Sequence, residues 1–387
     1  MALKASGKDR CKEMKVVSVV WFKVFPPKFG GQKGIALFHK YLSAHCSITC
    51  ICSKDNVIEA SAPFTTLPRL PISKLQFLDI RVWRKIVNVV RDERAGIVLL
   101  EHPYHIFAAL RAKKNYGAKL VLHQHNIEFL RFRELKRWWW PLLKRMEALA
   151  CRNADLILFK TETDRQIAVS LFGLNAQQLM VLPYGIEKAN PNQNAASYLQ
   201  WKHGINEGEP ILVFAGTLDY EPNANGVEAI YQQLAPELEA AGVRCTILIC
   251  GRNKFEKFQY LKTFQHPNVI MVGEVEDIAP YLQGADVMIN PVVTGGGIQT
   301  KILDALAMHC NVVAFQKAWT GIDTGIAGEK AWIVDNGNWK EMVAAIRQAI
   351  PVKKETPQAF FDKYSWEVIA ANAAKAMQNI YPSSIAR

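Results

Sequence analysis

At 387 residues, half of them apolar and 21% charged, the chain has length for about two ordinary domains and apolar content for two cores, which excludes a disordered polyelectrolyte. No stretch approaches the roughly 18 consecutive apolar residues of a membrane-spanning helix, and the eight cysteines lack metal-ligand spacing, which leaves reduced, buried thiols. The formal charge of +12 is divided unequally: residues 1–185 carry 30 Lys and Arg against 14 Asp and Glu, residues 186–387 carry 17 against 21, and the two halves are expected to meet different partners.

In chain order, Met1 to Glu13 is polar and basic without the apolar centre of a secretory leader, and a cytoplasmic protein is expected. Runs of β-branched and apolar residues then predict strands at Lys15–Val20, Ser47–Cys52, Gly96–Leu100, Leu120–His123, Asp155–Phe159 and Leu179–Leu182. A second series follows at Pro210–Ala215, Thr246–Cys250, Val269–Val272, Val287–Asn290, Val312–Phe315 and Trp332–Val334, with amphipathic stretches between. The series part near Tyr184-Gly185-Ile186-Glu187. They predict an α/β protein of two doubly wound Rossmann-like domains facing across a cleft, residues 1–186 with 365–387 and residues 187–364, with ligands at the carboxyl ends of the strands. Val368, Ala371, Ala374, Met377 and Ile380 share a helical face, so Trp366 to Tyr381 is expected to dock back as a last helix.

Several loops of the first half carry polar candidates. Gly30 and Gly31 follow Pro26-Pro27-Lys28-Phe29 and precede a helix with Ile35, Phe38 and Leu42 on one face. His125, just past an apolar strand, can face the cleft, while His123 is expected to point to the other side. Glu128 has three open uses: orienting His125, binding hydroxyls, or capping the next helix. From Arg131 to Arg145, cations interleave with Trp138, Trp139 and Trp140; the stretch fits an anionic membrane surface, or a helix interrupted at Pro141 that buries its tryptophans. No nucleic-acid signature accompanies it.

In the second half, Asp286-Val-Met-Ile-Asn-Pro291 reads as a buried strand. Gly295-Gly296-Gly297 then turns into a helix through Ile298, Gln299, Thr300 and Lys301. Free N–H groups at a helix start, reached through glycines, form an anion cradle. Lys301 would neutralise phosphate charge, and Asp304, three residues on, would accept hydrogen bonds from hydroxyls. The spacing matches neither the Gly-x4-Gly-Lys phosphate loop nor the dinucleotide fingerprint, which weakens ATPase and dehydrogenase readings.

Taken together, the Gly30-Gly31 loop, His125-Asn-Ile-Glu128, Pro183-Tyr-Gly-Ile-Glu187, Phe214-Ala-Gly-Thr-Leu-Asp-Tyr-Glu-Pro-Asn223, Gly273-Glu-Val-Glu-Asp277 and the triple-glycine segment into Lys301-Ile-Leu-Asp304 resemble, in order and over nearly the full chain, the retaining nucleotide-sugar-dependent glycosyltransferases of the GT-B fold, family 4-like, group 1. The resemblance implies a nucleoside diphosphate-sugar donor held by the C-terminal domain at Gly295, Gly296, Gly297, Ile298, Gln299, Thr300 and Lys301. It implies ribose on Asp304, Gly30 and Gly31 approaching the phosphates, and an acceptor-side site at His125 and Glu128. The chain departs from the family pattern at two places. The first of the family's two acids, nine positions apart inclusive, falls on Gly296, and the usual Arg and Lys are absent from Gly216-Thr-Leu-Asp219, leaving Lys301 as their substitute.

The expected activity is therefore transfer of a sugar to a hydroxyl acceptor, a sugar, glycan or lipid-linked molecule of the kind used in cell-surface polysaccharide or glycolipid synthesis. No cofactor is expected, and with no Asp-x-Asp pair no metal clamp is indicated. The place is the cytoplasm, at the inner membrane face if the basic stretch docks there. A sugar-nucleotide epimerase would need further acid and base groups in the cleft. A non-catalytic module binding anionic polymer or membrane would suit the basic half and the missing acid.

Overall fold

The structure, a computed structural model, describes residues 14–27, 30–57, 61–73, 75–295 and 297–382. The chain divides into two compact units, Met1–Gly185 with Trp366–Arg387, and Ile186–Ser365.

Unit 1 is built on a seven-stranded sheet of β1 (Lys15–Val20), β2 (Ser47–Ser53), β3 (Thr65–Leu70), β4 (Ile97–Glu101), β5 (Lys119–Gln124), β6 (Leu156–Phe159) and β7 (Leu179–Val181), in the order β3-β2-β1-β4-β5-β6-β7. Every pairing is parallel. Parallel strands are covered on both faces, which is why the inner ones are continuous apolar runs and legible in the sequence. The exception is β3, which the sequence reading missed. It is an edge strand that pairs only with β2, is largely half-exposed, and contains Pro68, which edges tolerate and inner strands do not.

The helices before β4, β5 and β6 (Ile80–Glu93, Ile106–Tyr116 and Trp140–Asn153) pack side by side on one face. In the first, Val82, Ile86, Val87, Val89 and Val90 are buried at helical spacing, each stabilising by roughly 1.5–3 kcal/mol over exposure. The terminal helix, Trp366–Ile380, joins unit 1, packing on Gly30–Leu42. A side chain at Gly185 would put its Cβ 2.4 Å from the fully buried Trp366 ring, so only glycine lets the chain leave unit 1 beside the point where it returns.

Unit 2 holds a six-stranded parallel sheet of β8 (Ile211–Ala215), β9 (Thr246–Cys250), β10 (Val269–Gly273), β11 (Val287–Asn290), β12 (Asn311–Phe315) and β13 (Ala331–Val334), in the order β10-β9-β8-β11-β12-β13. Each sheet therefore reverses strand order once, between β1 and β4 in unit 1 and between β8 and β11 in unit 2. At such a reversal the neighbouring connections leave on opposite faces and open a crevice beyond the strand ends, where α/β sheets bind ligands.

Candidate functional site

At the reversal point of unit 2, β11 ends at Asn290, and the chain runs through Gly295 and Gly297 into the helix Thr300–Ala307. Gly295 and Gly297 sit at φ 95° and 78°, a region that favours glycine, and a Cβ on Gly295 would stand 2.7 Å from the Tyr220 hydroxyl. Gly296 lies outside the described residues. Ile298 and Gln299 lead in, the helix beginning at Thr300, and the Gln299 side chain does not cap it. Lys301 and, one turn on, half-buried Asp304 belong to this helix, whose Ile302, Leu303, Ala305, Leu306 and Ala307 are buried.

Lys301 carries the electrostatics of this end. Its Nζ donates to Asn223 Oδ1 at 2.9 Å and lies 4.2 Å from the centre of the Phe214 ring. Asn223 is held in turn by donating to the Thr217 carbonyl at 2.9 Å. Among the described residues no carboxylate pairs with Lys301, and burial pushes its pKa down to about 7. Asn290, fully buried, has neither amide atom partnered among the described residues, and Thr217 Oγ1 is likewise unpartnered. Sequence reading assigned neither a role; a buried Asn closing an apolar strand was the available signal. Arg252 donates to Asp219 at 2.8 Å, and Asp219 also accepts from the backbone N–H groups of Lys254 and Phe255. Burial would raise the Asp219 pKa, but these bonds outweigh it and hold it low.

At the reversal point of unit 1, the end of β4 places Glu101 in a cluster of histidines. Its Oε2 lies 2.6 Å from His125 Nε2 and 2.9 Å from His123 Nδ1, and its Oε1 3.3 Å from His39 Nε2, which also meets Ser18 Oγ at 2.9 Å. The Glu101, His123 and His39 side chains are fully buried, whereas His125 keeps 12% of its side chain exposed. The expectation that His123 faces away from His125 is corrected: residues two apart on an extended run share a face, and both meet Glu101. Burial would raise the Glu101 pKa, but the imidazoles hold it well below the carboxylate range. Burial also holds His102 and His123 at about 4 and His125 at about 3, so all three are neutral at pH 7. Buried Lys160, following β6, has no hydrogen-bond partner for Nζ among the described residues and is pushed down to about 8 by burial, against the pull of Glu101.

His102 stacks on His125 with ring centres 4.5 Å apart. It holds φ 78°, ψ 160°, a region almost reserved for glycine that costs about 1–3 kcal/mol elsewhere. The ligand atoms of Glu101, His123 and His125 lie within 4.8 Å of one another, a grouping a divalent ion would accept. The 2.6 Å contact between Glu101 and His125 is a hydrogen bond, and Lys160 supplies a positive charge that Glu101 attracts.

Glu128 opens the helix Glu128–Glu134, is buried, and accepts from the Tyr104 hydroxyl at 3.0 Å. Orientation of His125 falls to Glu101, not Glu128. The helix start is satisfied by Glu147, which accepts from the Glu128 and Phe129 N–H groups at 2.9 and 3.0 Å and is raised to about 7 by burial. Gly30 and Gly31 are the first residues of the helix Gly30–Leu42 rather than a loop before it, and a Cβ on Gly31 would meet nothing within 4 Å. The basic, tryptophan-bearing stretch divides. Trp139 and Trp140 pack on Phe132 and Phe129, while Trp138 is 88% exposed beside Leu135 and Leu142. The chain breaks between helices before Trp140, and Pro141 stands in the first turn of the second, where its missing N–H costs nothing. Ile72, Leu75 and Leu78, ahead of the helix Ile80–Glu93, and Ile80 at its start are exposed. Both apolar segments thus precede helices of one face and follow the carboxyl ends of strands, as His125 does. No helix among the described residues is long and apolar enough to cross a membrane.

Comparison with known proteins gives two family matches, one in each unit: residues 30–190 match the model described as Glycosyltransferase Family 4, and residues 209–351 the model described as Glycosyl transferases group 1. The capsular polysaccharide biosynthesis glycosyltransferase CapM of Staphylococcus aureus is 25% identical over 275 residues, 67% of each chain. Among solved structures, the sucrose-phosphate synthase of Thermosynechococcus elongatus superposes with a TM-score of 0.72 at 15% identity, over 96% of this chain and 100% of that one. Anabaena HepE, solved with UDP and glucose, superposes with a TM-score of 0.68 at 14% identity, over 95% and 100%.

Proposed function

This chain belongs to the glycosyltransferases of the group 1, family 4 type with the GT-B fold, and on that premise we propose that it transfers a sugar, with retention, from a nucleoside diphosphate-sugar to a hydroxyl acceptor of polysaccharide or glycolipid synthesis. The observation that carries the donor assignment is Lys301, a half-buried cation whose hydrogen-bonding partner is neutral, beside the glycine turn at the reversal point of unit 2. Such a cation is costly until an anion reaches it, and a diphosphate is the anion the family brings. HepE was solved with UDP-glucose, which makes uridine donors the first to test.

In this reading the N–H groups from Gly295 to Thr300 and the Lys301 ammonium hold the diphosphate, and Asp304 accepts from ribose hydroxyls. The acceptor oxygen attacks the anomeric carbon, the bond from that carbon to the β-phosphate oxygen breaks, and the acceptor proton passes to the departing diphosphate. Charge grows on the leaving oxygen as the bond breaks, so Lys301 and the N–H groups act most strongly in the transition state. His125 and Glu128 serve the acceptor side. No metal is assigned a part. The paired apolar segments around Leu75 and Trp138, set among cations, support an acceptor borne on an anionic membrane.

A melting screen of uridine, guanosine and thymidine diphosphates and their sugars tests the reading. One nucleotide should raise the melting temperature by mass action, and its sugar should be turned over to free nucleotide when acceptor is added. Binding of none of them, or conversion of the sugar without its release, would overturn it.

A further inference from the structure

Resting on that transferase reading, we propose that Glu101 is a positioning residue that fixes His125 as its Nε2–H tautomer and so presents a bare Nδ1 to a substrate hydroxyl. An ionised carboxylate accepts hydrogen bonds and cannot donate them. The 2.6 Å contact between Glu101 Oε2 and His125 Nε2 therefore requires the proton on Nε2. With the ring neutral, Nδ1 is left as a lone pair. That nitrogen has no partner among the described residues, and His125 is the member of the cluster that keeps part of its side chain open.

The groups facing Glu101 come from every element packed around it. His123 stands on β5, His39 on the helix Gly30–Leu42, Ser18 on β1 behind His39, and Lys160 after β6. Lys160 attracts Glu101, which favours the ionised carboxylate. His102, held in its strained backbone conformation, stacks on the other side of the ring and limits its rotation. A bare Nδ1 accepts a hydrogen bond from a hydroxyl, so the atom to be recognised is an O–H of the acceptor or of the transferred sugar. Sequence spacing hides this pair, because Glu101 and His125 stand 24 residues apart on neighbouring strand ends.

The tautomer is read directly from the nitrogen spectra of protein labelled with 15N histidine, the His125 signals being assigned by their loss in His125→Asn. At pH 7 wild-type His125 should show a protonated Nε2 and an unprotonated Nδ1; protonation on Nδ1 overturns the proposal whatever the activity. Kinetics supply the second arm. In Glu101→Gln the amide can donate as well as accept, so part of the population takes the other tautomer. kcat should fall at least ten-fold while donor KM stays within two-fold, and Glu101→Asp should restore part of the loss. Unchanged kcat, or a loss confined to donor KM, also overturns it. If Glu101→Gln does not fold, the wild-type spectra still decide. If the spectra fit but the wild type transfers sugar from no nucleotide donor, the transferase reading fails and the tautomer assignment stands.

Discussion

Replacing Lys301 by methionine should move stability and binding in opposite directions. The half-buried ammonium lies over Phe214 with, among the described residues, only the neutral Asn223 as hydrogen-bond acceptor, and its pKa falls from 10.5 to about 7. At about 1.4 kcal/mol per unit, a depression of that size corresponds to on the order of 5 kcal/mol of folding free energy withheld below pH 7. Because the folded pKa lies below the unfolded one, the unfolded chain binds more protons between pH 7 and 10.5. Wild-type stability from this group should therefore rise with pH across that window and level off below pH 7. Lys301→Met removes both the cost and its pH dependence, while UDP loses a charge-assisted contact worth roughly 1.5–3 kcal/mol, about ten- to a hundred-fold in affinity. Scanning calorimetry from pH 6 to 9, with and without UDP, measures both. A variant that melts lower than wild type and binds UDP equally well would refute the reasoning and return Lys301 to structural packing.

Three further outcomes are expected. Asp304→Ala should weaken UDP by about 1–2 kcal/mol through the ribose while the pH dependence of binding, which belongs to Lys301, persists in calorimetry. Gly251→Ala would bring a Cβ within 1.9 Å of the Gly216 carbonyl oxygen, where the loops after β8 and β9 are bonded together. It should cost about 1–3 kcal/mol of stability by denaturant unfolding and lower UDP affinity by shifting Thr217 and Asn223. Wild-type protein should sediment with anionic vesicles at low salt, each cation contributing about 1 kcal/mol, and changing Arg133, Lys136, Arg137 and Arg145 to Gln with Trp138→Ser should release it; indifference of wild type to such vesicles would leave the acceptor a soluble molecule.

What could be read in the sequence follows from what is local. Inner strands such as Val287–Asn290 are continuous apolar runs because both faces of a parallel sheet are covered, and the turn grammar after them pointed to Lys301 before any geometry. Edge strand β3 escaped because Thr65-Thr-Leu-Pro-Arg-Leu70 has a proline and a cation where a buried strand would have neither. Glu101 escaped for another reason. One acid between an apolar strand and His102-Pro103 looks like a solvated loop residue, and only the β4–β5 register and the helix bearing His39 bring three imidazoles to it. Asn223 was quoted within a motif, yet its service to Lys301 spans 78 residues.

The sequence has glycine at 296, where the family's first acid falls, and among the described residues no acid is paired with the half-buried Lys301. A carboxylate beside Lys301 would hold its charge at neutral pH and also neutralise it, so a diphosphate would have to displace that partner before gaining the cation. With glycine at 296 and no acid paired to Lys301 among the described residues, the cation contributes its attraction to the ligand undivided, and the fold bears the cost while the ligand is away. Introducing Gly296→Glu tests the trade. If the new acid pairs with Lys301, the lysine pKa should return toward its usual value and the apo protein gain stability at pH 7, while UDP binds more weakly than to wild type. If UDP binds more tightly instead, the acid is contacting the ligand and not the lysine, and Lys301 is not the group that sets diphosphate affinity.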